Sequence, residues 1–446
     1  MKYKTYSATP EAVWFQKVPE GWRATKMREL FAERNTKVSD KEYSALSVGK
    51  MGIVPQLDTA VKTDNGDNRK LICKGDFAIN SRSDRKGSSG ISKYDGSCSL
   101  IITVLKPHHE LNGRFYHYLL RSHYFVEEFY RNGHGLVADL WTTKWDEMRN
   151  IYVPVPSRAE QDQIVRYLDW QVSRINKLIR GYQKQIKLLE ERRQTIIDSA
   201  VTCGIDHIPL KKSGTHWVSA IPENWEMVFA KKLFAERKDK ALPKDEQLTA
   251  SQKYGIISQG DFMEKEGWRV TVVITGNDIL KHVGKGDFVI SMRSFQGGLE
   301  YSYVEGKISS AYVMLIPRKE YVYDEFFKWL FKSTPYIKAL QGTSDLVRDG
   351  QALRYANFAK VPLPQFPIEE QKRIADYIEL ETRKIGDALP YFENEINLLR
   401  EYRTRLISDV VTGQMDVRGI KIPDYTPEQD IEESGTEEGA VMDDAQ

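Results

Sequence analysis

Val18-Pro-Glu-Gly-Trp22 and Leu30-Phe-Ala-Glu-Arg34 return in the second half of the chain as Ile221-Pro-Glu-Asn-Trp225 and Leu233-Phe-Ala-Glu-Arg237, at the same distance downstream. Further pairs follow in the same order: Lys50-Met-Gly-Ile53 with Lys253-Tyr-Gly-Ile256, Lys74-Gly-Asp-Phe-Ala-Ile79 with Lys285-Gly-Asp-Phe-Val-Ile290, and Val153-Pro-Val-Pro156 with Val361-Pro-Leu-Pro364. Small changes in their spacing indicate loop insertions. The chain is therefore a tandem duplication of a unit about half its length, far longer than a solenoid repeat.

Composition excludes several classes of protein. The 446 residues are 41% hydrophobic and 29% charged, as in globular chains of two or more domains. No apolar run approaches the roughly 18 residues of a membrane span, and the N-terminal stretch lacks the apolar core of a signal peptide. We therefore expect a cytoplasmic protein. Cys73, Cys98 and Cys203 are scattered without a CxxC pair, which argues against a disulfide framework and a zinc site.

The charge is unevenly distributed along the chain. The segment 421–446 contains nine carboxylates and one lysine, so removing its net charge of −8 from the formal +2 leaves +10 on residues 1–420. Because this segment has few large apolar residues, it is predicted to be a disordered acidic tail. The body is mildly basic, which suits a polyanionic partner but is also common in proteins that never bind nucleic acid.

Each copy begins with a mixed α/β region. Short β-branched and aromatic runs such as Ser99–Leu105 and Ala311–Ile316 predict strands, and the stretches Phe115–Tyr130 and Glu325–Leu340 predict helices. Together they predict two domains of roughly 150 residues. The Lys-Gly-Asp-Phe element of each copy is interpreted as a structural turn that leads into a buried strand, with the glycine supplying an unusual backbone angle.

After each Val-Pro-x-Pro element the sequence becomes helical for about forty residues, with apolar residues every seventh position, as in a coiled coil. The predicted seam consists of Leu168, Ile175, Tyr182, Leu189 and Ile196 in the first copy and Ile378, Ile385, Phe392, Leu399 and Leu406 in the second. Each helix is expected to pair with the other, and Pro390 predicts a kink or a break in the second. Two helices that only buttress their own domains remain an alternative.

Catalytic motifs are missing from both copies. The chain has no Walker A loop, GxGxxG, HExxH or G-x-S-x-G element, and no Asn or Asp followed by Pro-Pro-Tyr or Pro-Pro-Trp. His108, His109 and Glu110 have no second cluster at ligand spacing and no counterpart in the second copy, so a surface position is favoured over a metal site. Duplication without a duplicated catalytic set favours binding over chemistry.

The two copies differ in the segment that follows each Gly-Asp-Phe strand, 80–90 in the first copy and 291–298 in the second. Both segments are rich in Gly, Ser, Arg and Gln, side chains that bond base edges and phosphates. The candidate DNA contacts are Lys50, Arg82, Ser83, Arg85, Lys86, Ser88, Ser89, Lys253, Tyr254, Arg293, Ser294, Gln296, Arg348 and Arg354. Solvated loops that vary because nothing constrains them are an equally open reading.

The assembled pattern resembles the specificity subunit of type I restriction-modification enzymes. The resemblance rests on the two Val-Pro-x-Pro elements with Glu160-Gln161 and Glu370-Gln371, and on the helix endings Leu188–Thr202 and Leu398–Gly413, the latter continuing to Met415-Asp-Val-Arg418. It covers residues 14–420. Cys203-Gly204 departs from the Gly-Gln of the second copy, and the acidic tail is not carried over from the family, so its role stays open.

The resemblance implies an α+β fold with two mixed α/β target-recognition domains in pseudo-twofold tandem repeat, joined by two long antiparallel coiled-coil helices. The implied organisation is two recognition domains, 1–157 and 209–366, two helical regions, 158–208 and 367–420, and the tail 421–446. Each recognition domain would read one half of a bipartite site in double-stranded DNA, and the helices would set the spacer.

The resemblance also implies the partners. Two methyltransferase subunits would bring S-adenosylmethionine and modify adenine N6, and two motor and nuclease subunits would bring ATP and Mg and restrict unmodified DNA. This chain would hold no cofactor and no catalytic residue. Two other hypotheses stay open: a scaffold that uses the long helices for protein contacts without DNA, and an enzyme with unrecognised active sites.

Overall fold

The computed structural model describes residues 2–50, 52–56, 66–136, 141–267, 279–291, 294–343 and 354–426. The chain divides into two compact units, the first comprising Met1–Gln183 with Glu393–Gln446 and the second Lys184–Phe392. Both boundaries between the units fall inside long helices, α5 (Arg158–Cys203) and α12 (Ile368–Val411). No helix of the described ranges is long and apolar enough to cross a membrane. Most of the predicted acidic tail, 427–446, lies outside those ranges.

The first copy of the repeat precedes α5. Its strands are β1 (Tyr6–Ala8), β2 (Lys17–Pro19), β3 (Arg23–Lys26), β4 (Phe31–Glu33), β5 (Lys37–Val38), β6 (Leu46–Gly49), β7 (Gly52–Pro55), β8 (Arg69–Ile72), β9 (Phe77–Asn80), β10 (Ser89–Ile91), β11 (Gly96–Cys98), β12 (Ile102–Pro107) and β13 (Tyr152–Val155). Its helices are α1 (Met27–Leu30), α2 (Gly113–Arg121), α3 (His123–Arg131) and α4 (Trp145–Met148), with a 3-10 turn at Ser83–Arg85.

The second copy lies between α5 and α12. Its strands are β14 (Leu210–Lys212), β15 (Ala220–Pro222), β16 (Glu226–Phe229), β17 (Phe234–Arg237), β18 (Leu248–Ser251), β19 (Gly255–Ser258), β20 (Lys281–Val283), β21 (Phe288–Ile290), β22 (Glu300–Tyr301), β23 (Gly306–Ile308), β24 (Val313–Pro317) and β25 (Pro362–Gln365). Its helices are α6 (Ala230–Leu233), α7 (Gln259–Glu266), α8 (Ser294–Gly297), α9 (Asp324–Lys332), α10 (Thr334–Gln341) and α11 (Tyr355–Lys360).

The strand topology repeats between the copies. The main antiparallel sheet has the order β10-β9-β12-β4 in the first copy and β22-β21-β24-β17 in the second. Its register repeats as well, because Phe77 lies opposite Leu105 and Phe288 lies opposite Leu315. The hairpins β6–β7 and β18–β19 also correspond. The duplication in the sequence is thus a duplication of the fold, and the predicted mixed α+β class with two long helices is confirmed.

Each helical stretch predicted in the mixed α/β regions is two helices rather than one. Ser122 separates α2 from α3, and Ser333 separates α9 from α10, both with extended backbone angles. The hydroxyl of Ser122 donates to the Leu119 carbonyl at 2.7 Å, and that of Ser333 donates to the Leu330 carbonyl at 2.6 Å. These bonds satisfy a carbonyl at the end of the preceding helix, so the chain can turn without a glycine or proline.

The long helices have the predicted apolar seam. All ten seam residues are buried or half-buried. Within the first unit, Arg403 of α12 donates to the Asn176 side chain of α5 at 2.8 Å, while Gln163, earlier in α5, donates to the carbonyl of Val417, beyond the end of α12. The earlier residue of α5 is therefore paired with the later residue of the second chain segment. The two helix segments in this unit are antiparallel.

The predicted break at Pro390 is absent, because α12 continues through this residue. Proline removes one hydrogen bond to the carbonyl four residues earlier, here that of Gly386. Gly386 and Pro390 are both exposed, so water can bond the freed carbonyl. The cost of the proline is therefore too small to interrupt a helix whose seam is buried on either side.

Candidate nucleic-acid interface

A buried ion pair supports the Gly-Asp-Phe turn of each copy. Arg34 binds Asp76 through Nε and Nη2 at 2.7 and 3.1 Å, and Asp76 also accepts the Cys73 N–H at 2.8 Å. Arg237 and Asp287 repeat this bidentate pair at 2.6 and 3.0 Å. The preceding glycines have φ of 90° and 92°, a region that side chains avoid. These contacts confirm that the Lys-Gly-Asp-Phe element is a structural turn.

A tryptophan joins each recognition region to the start of the helix that follows it. Trp22 Nε1 donates to Glu160 Oε1 at 3.2 Å, and Trp225 Nε1 donates to Glu370 Oε1 at 2.8 Å. The neighbouring Gln371 donates to the Phe366 carbonyl at 3.0 Å, as the corresponding glutamine of the first copy does to Pro156. The repeated tryptophan and Glu-Gln motifs therefore fix how each long helix leaves its domain.

The same tryptophans receive the helix ends. A Cβ on Gly413, which has φ +74°, would meet Trp22 at 3.2 Å, and one on Gly204, with φ +71°, would meet Trp225 at 3.6 Å. Gly204 follows Cys203 at the end of the first helix, and Gly413 lies just beyond the end of the second. Each is a glycine with left-handed backbone angles that lies against a tryptophan, although the two endings differ in sequence.

In the first copy, one cation of the segment after β9 has no acidic side chain as a partner among the described residues. Arg82 is exposed and has no carboxylate partner among the described residues. Arg85 lies 3.7 Å from Asp84, and Lys86 lies 2.6 Å from Glu127. The backbone around Arg82 is fixed, because its carbonyl accepts the Tyr130 hydroxyl at 2.9 Å. Within this segment, Arg82 is thus the cation best placed to bind an outside acceptor.

The candidate serines differ in exposure. Ser83 is half-buried, whereas Ser88 and Ser89 are buried, with 4% and 0% of their surface exposed. In the second copy Ser294 is also fully buried, and its hydroxyl accepts the Ser291 N–H at 2.9 Å. The three buried hydroxyls face the protein, so in this conformation they cannot reach DNA.

The hairpin β6–β7 lies beside the divergent segment. Lys50 is exposed at its tip, and its carbonyl accepts a hydrogen bond from Arg121 of α2. A Cβ on Gly90 in β10 would meet the Gly52 Cα at 3.2 Å, so the two backbones are in close contact. The structure therefore brings the hairpin of Lys50 against the strand that ends the Arg82 segment.

The second copy repeats this juxtaposition with different residues. Gln296 is exposed on α8, and Arg293 lies outside the described residues. A Cβ on Gly297 would meet the side chain of Gln252, next to the hairpin β18–β19, at 2.6 Å. Gly298 has φ +76° and packs directly on the Phe331 carbonyl. The divergent segment again lies against a hairpin tip.

Lys253 and Tyr254 form a compact polar cluster at that tip. Both side chains bind Glu266 of α7, at 3.2 and 2.9 Å, and the Lys253 ammonium lies 4.8 Å from the centre of the Tyr254 ring. Hydrogen bonds with Tyr254 and Glu266 raise the pKa of Lys253. Lys253 is therefore an exposed cation whose position is partly fixed.

The remaining candidates are less well defined. Arg348 lies outside the described residues. Arg354 is exposed at the start of α11, where its backbone N–H donates to the Asn357 side chain at 3.1 Å. The described contacts do not bring Arg354 to the hairpin of Lys253.

Three residues of the candidate interface were missed in the sequence. Arg121 bonds the carbonyl of Lys50, and Gln252 lies against Gly297. Leu100 is exposed in the turn before β12, where a strand was predicted. For Gln252 a signal existed, because it directly precedes a candidate lysine, whereas Arg121 belongs to a helix whose distance from the hairpin depends on the fold.

The described residues do not group into a metal centre. No cluster of three or more His, Cys, Asp and Glu side chains with suitable geometry is present in this part of the chain. The Nε2 atom of His108 lies 3.1 Å from the Arg28 carbonyl at the surface. The described candidate residues carry cations, amides and hydroxyls, which are groups that bind phosphates and base edges.

Comparison with known families gives the decisive observation. Residues 222–386, which cover most of the second copy and the start of α12, match the family described as Type I restriction modification DNA specificity domain. Residues 222–386 are thus similar to a type I DNA specificity domain. This match confirms the resemblance drawn from the sequence. No curated protein matches the chain.

Solved structures were also compared with the chain, and one of them agrees in fold. A chain from "Structural basis underlying complex assembly and conformational transition of the type I R-M system" matches with a TM-score of 0.64 and 14% identity, over 89% of this chain and 99% of that one. The HsdS subunit from Thermoanaerobacter tengcongensis matches at 17% identity and TM-score 0.47, over 89% and 98%. The S subunit from M. genitalium matches at 15% and 0.32, over 91% and 97%. At 14% identity, the first of these likenesses shows the fold alone.

Proposed function

We propose that this chain is the DNA specificity subunit of a type I restriction-modification complex. Each recognition domain reads one half of a bipartite site in double-stranded DNA, and the two long helices set the unread spacer between the halves. The chain itself catalyses no reaction. It directs adenine N6 methylation, and restriction of unmodified DNA, by partner subunits in the cytoplasm.

The observation that carries this proposal is that the two copies share the same supporting turn but differ in the segment that follows it. The Arg34–Asp76 and Arg237–Asp287 pairs hold equivalent turns in both copies. Beyond those turns the first copy forms a 3-10 turn with an exposed Arg82, while the second forms α8 with an exposed Gln296. Arginine favours guanine and glutamine favours adenine in the major groove. Two such tips on one frame suit two different half-sites.

The chemistry is assigned to partners. Two methyltransferase subunits supply S-adenosylmethionine and the pocket for a flipped adenine, and two motor and nuclease subunits supply ATP and Mg. The chain supplies the sequence reading that brings those subunits to a site.

Methylation mapping tests the proposal. The chain is expressed with its modification subunits in a host that lacks other adenine methylation, and methylated positions are sequenced genome-wide. We expect one motif with two short specified parts and an unspecified spacer of fixed length. A single contiguous motif, or methylation without sequence preference, would exclude the proposal.

A further inference from the structure

A hydrogen-bonded turn in the first recognition domain presents two apolar side chains to solvent. The Ile102 N–H donates to the Ser99 carbonyl at 3.1 Å, which places Leu100 and Ile101 at the corners of a β-turn. Leu100 is 42% exposed and Ile101 is 37% exposed. Turn corners usually carry Gly, Pro, Asn, Asp or Ser, because those residues suit the backbone or bond it. Two adjacent aliphatic residues at this place are therefore unusual.

The turn is held beside Arg82. Asn80 lies opposite Ile102 in the main sheet, so the turn that precedes Ile102 begins beside the residues that follow Asn80. The Ser81 hydroxyl donates to the Ile101 carbonyl at 2.8 Å, which fixes the two segments to each other. Arg82 directly follows Ser81, so the exposed cation and the exposed aliphatic pair lie in neighbouring segments.

The second recognition domain has the same turn without the apolar residues. The Tyr312 N–H donates to the Ser309 carbonyl at 3.1 Å, and the exposed corners are Ser310 and Ala311. A half-buried lysine supports both turns, because Lys70 donates to the Ile102 carbonyl and Lys281 donates to the Tyr312 carbonyl. The backbone is shared, so the aliphatic pair serves a purpose specific to the first copy.

We propose that Leu100 and Ile101 determine specificity by contacting thymine methyl groups in the major groove of the first half-site, next to the base pair contacted by Arg82. This inference rests on the proposed function. Aliphatic side chains discriminate thymine through its C5 methyl group, the one apolar feature of the major-groove edge. A surface that combines an arginine with an aliphatic pair can read a guanine and a neighbouring thymine together.

A docked protein is a poorer occupant for this surface. A stable protein interface buries roughly 800 Å² on each partner, and two half-exposed side chains supply a small part of that area. A thymine methyl group, in contrast, is small enough to be covered by one aliphatic side chain.

Uracil substitution tests the proposal, since deoxyuridine differs from thymidine only by the C5 methyl group. The full chain with its modification subunits is titrated against duplexes that carry thymine or uracil at each position of the mapped first half-site. We expect uracil to weaken binding about fourfold at a contacted position, the value of one buried methyl-sized group. The double variant Leu100→Ser, Ile101→Ala should bind thymine and uracil duplexes equally.

The matched control is Ser310→Leu, Ala311→Ile in the second copy, which should leave the preference for thymine in the first half-site unchanged. Equal binding of thymine and uracil by the unaltered protein, with the two-part site still recognised, would overturn the inference alone. A fourfold preference for thymine over uracil that persists in the Leu100, Ile101 variant would also overturn the inference. The same holds if the variant keeps that preference but no longer binds its modification subunits. Failure of the unaltered protein to select a two-part site would overturn the proposed function as well.

Discussion

Asp76 accepts two hydrogen bonds from Arg34, at 2.7 and 3.1 Å, and only 2% of its side chain is exposed. The pair holds the Gly-Asp-Phe turn from which the divergent segment projects, and Asp287 with Arg237 repeats it in the second copy. The segments that differ between the copies therefore follow a turn that the same Arg–Asp pair holds in both.

Asp76→Asn should destabilise the first unit strongly, because it leaves the Arg34 guanidinium beside a buried neutral group. Breaking a buried pair costs about 3 kcal/mol. Chemical denaturation of the full chain measures the change. Asp239→Asn is the control, since Asp239 binds Arg237 at 2.9 Å but is largely exposed, and it should cost less than about 1 kcal/mol. Equal effects of the two substitutions would contradict this role of the buried pair.

Gly298→Ala should disrupt the second recognition domain. Its Cβ would overlap the Phe331 carbonyl, and the backbone has φ +76°. Gly267→Ala is a matched control, because Gly267 has φ +74° with open space around it, so it should cost only the backbone penalty of about 1 to 2 kcal/mol. Thermal unfolding should show a much larger loss for Gly298→Ala, and similar losses would refute the close approach.

His117 should make the stability of the first unit depend on pH. Burial, with the nearby Arg121 and Arg114, lowers the pKa of His117 to about 3, and its ring lies 2.9 Å from Arg121. The unfolded chain takes up a proton below about pH 6.5, whereas the folded chain does not, so the free energy of unfolding falls as pH drops from about 6.5 towards 3.

His117→Gln should remove that dependence. Because the side chain is half-buried, the difference between the two proteins in stability lost from pH 7 to pH 5.5 should be at most about 1 kcal/mol. Denaturant titrations at both pH values measure it. If the variant lost more stability than the unaltered protein over this pH range, His117 would not be a neutral group with a lowered pKa.

Arg82→Ala should weaken the reading of one half-site. The loss of a bidentate contact with guanine costs about 1 to 3 kcal/mol for the correct base and relaxes the preference at that position. Competition binding with each half-site altered in turn measures this effect. The second half-site is the internal control, and an equal loss of specificity in both halves would argue that Arg82 acts on stability or on phosphates.

The frame was predictable from the sequence because its contacts use repeated residues. Trp22 and Glu160 recur as Trp225 and Glu370, and both pairs are bonded. The seam of the long helices was also predictable. Residues spaced by seven lie on one face of a helix whatever the tertiary structure.

Other features depend on tertiary contacts that a local pattern does not contain. The helix breaks at Ser122 and Ser333 were missed, because apolar periodicity continues on both sides of each serine. Ser88, Ser89 and Ser294 have the composition of a DNA-contacting loop, yet the fold buries them. The turn at Leu100 was assigned to a strand, since exposed aliphatic residues in a turn have the same signature as a buried strand.

The most direct test of the account is a footprint of the full chain, bound to its modification subunits, on the DNA site found by methylation mapping. The account predicts two protected groups of major-groove base contacts separated by an unread spacer, with Arg82→Ala altering protection in one group alone. One contiguous block of base contacts, or uniform protection of unrelated DNA, would contradict the central claim that each recognition domain reads its own half-site.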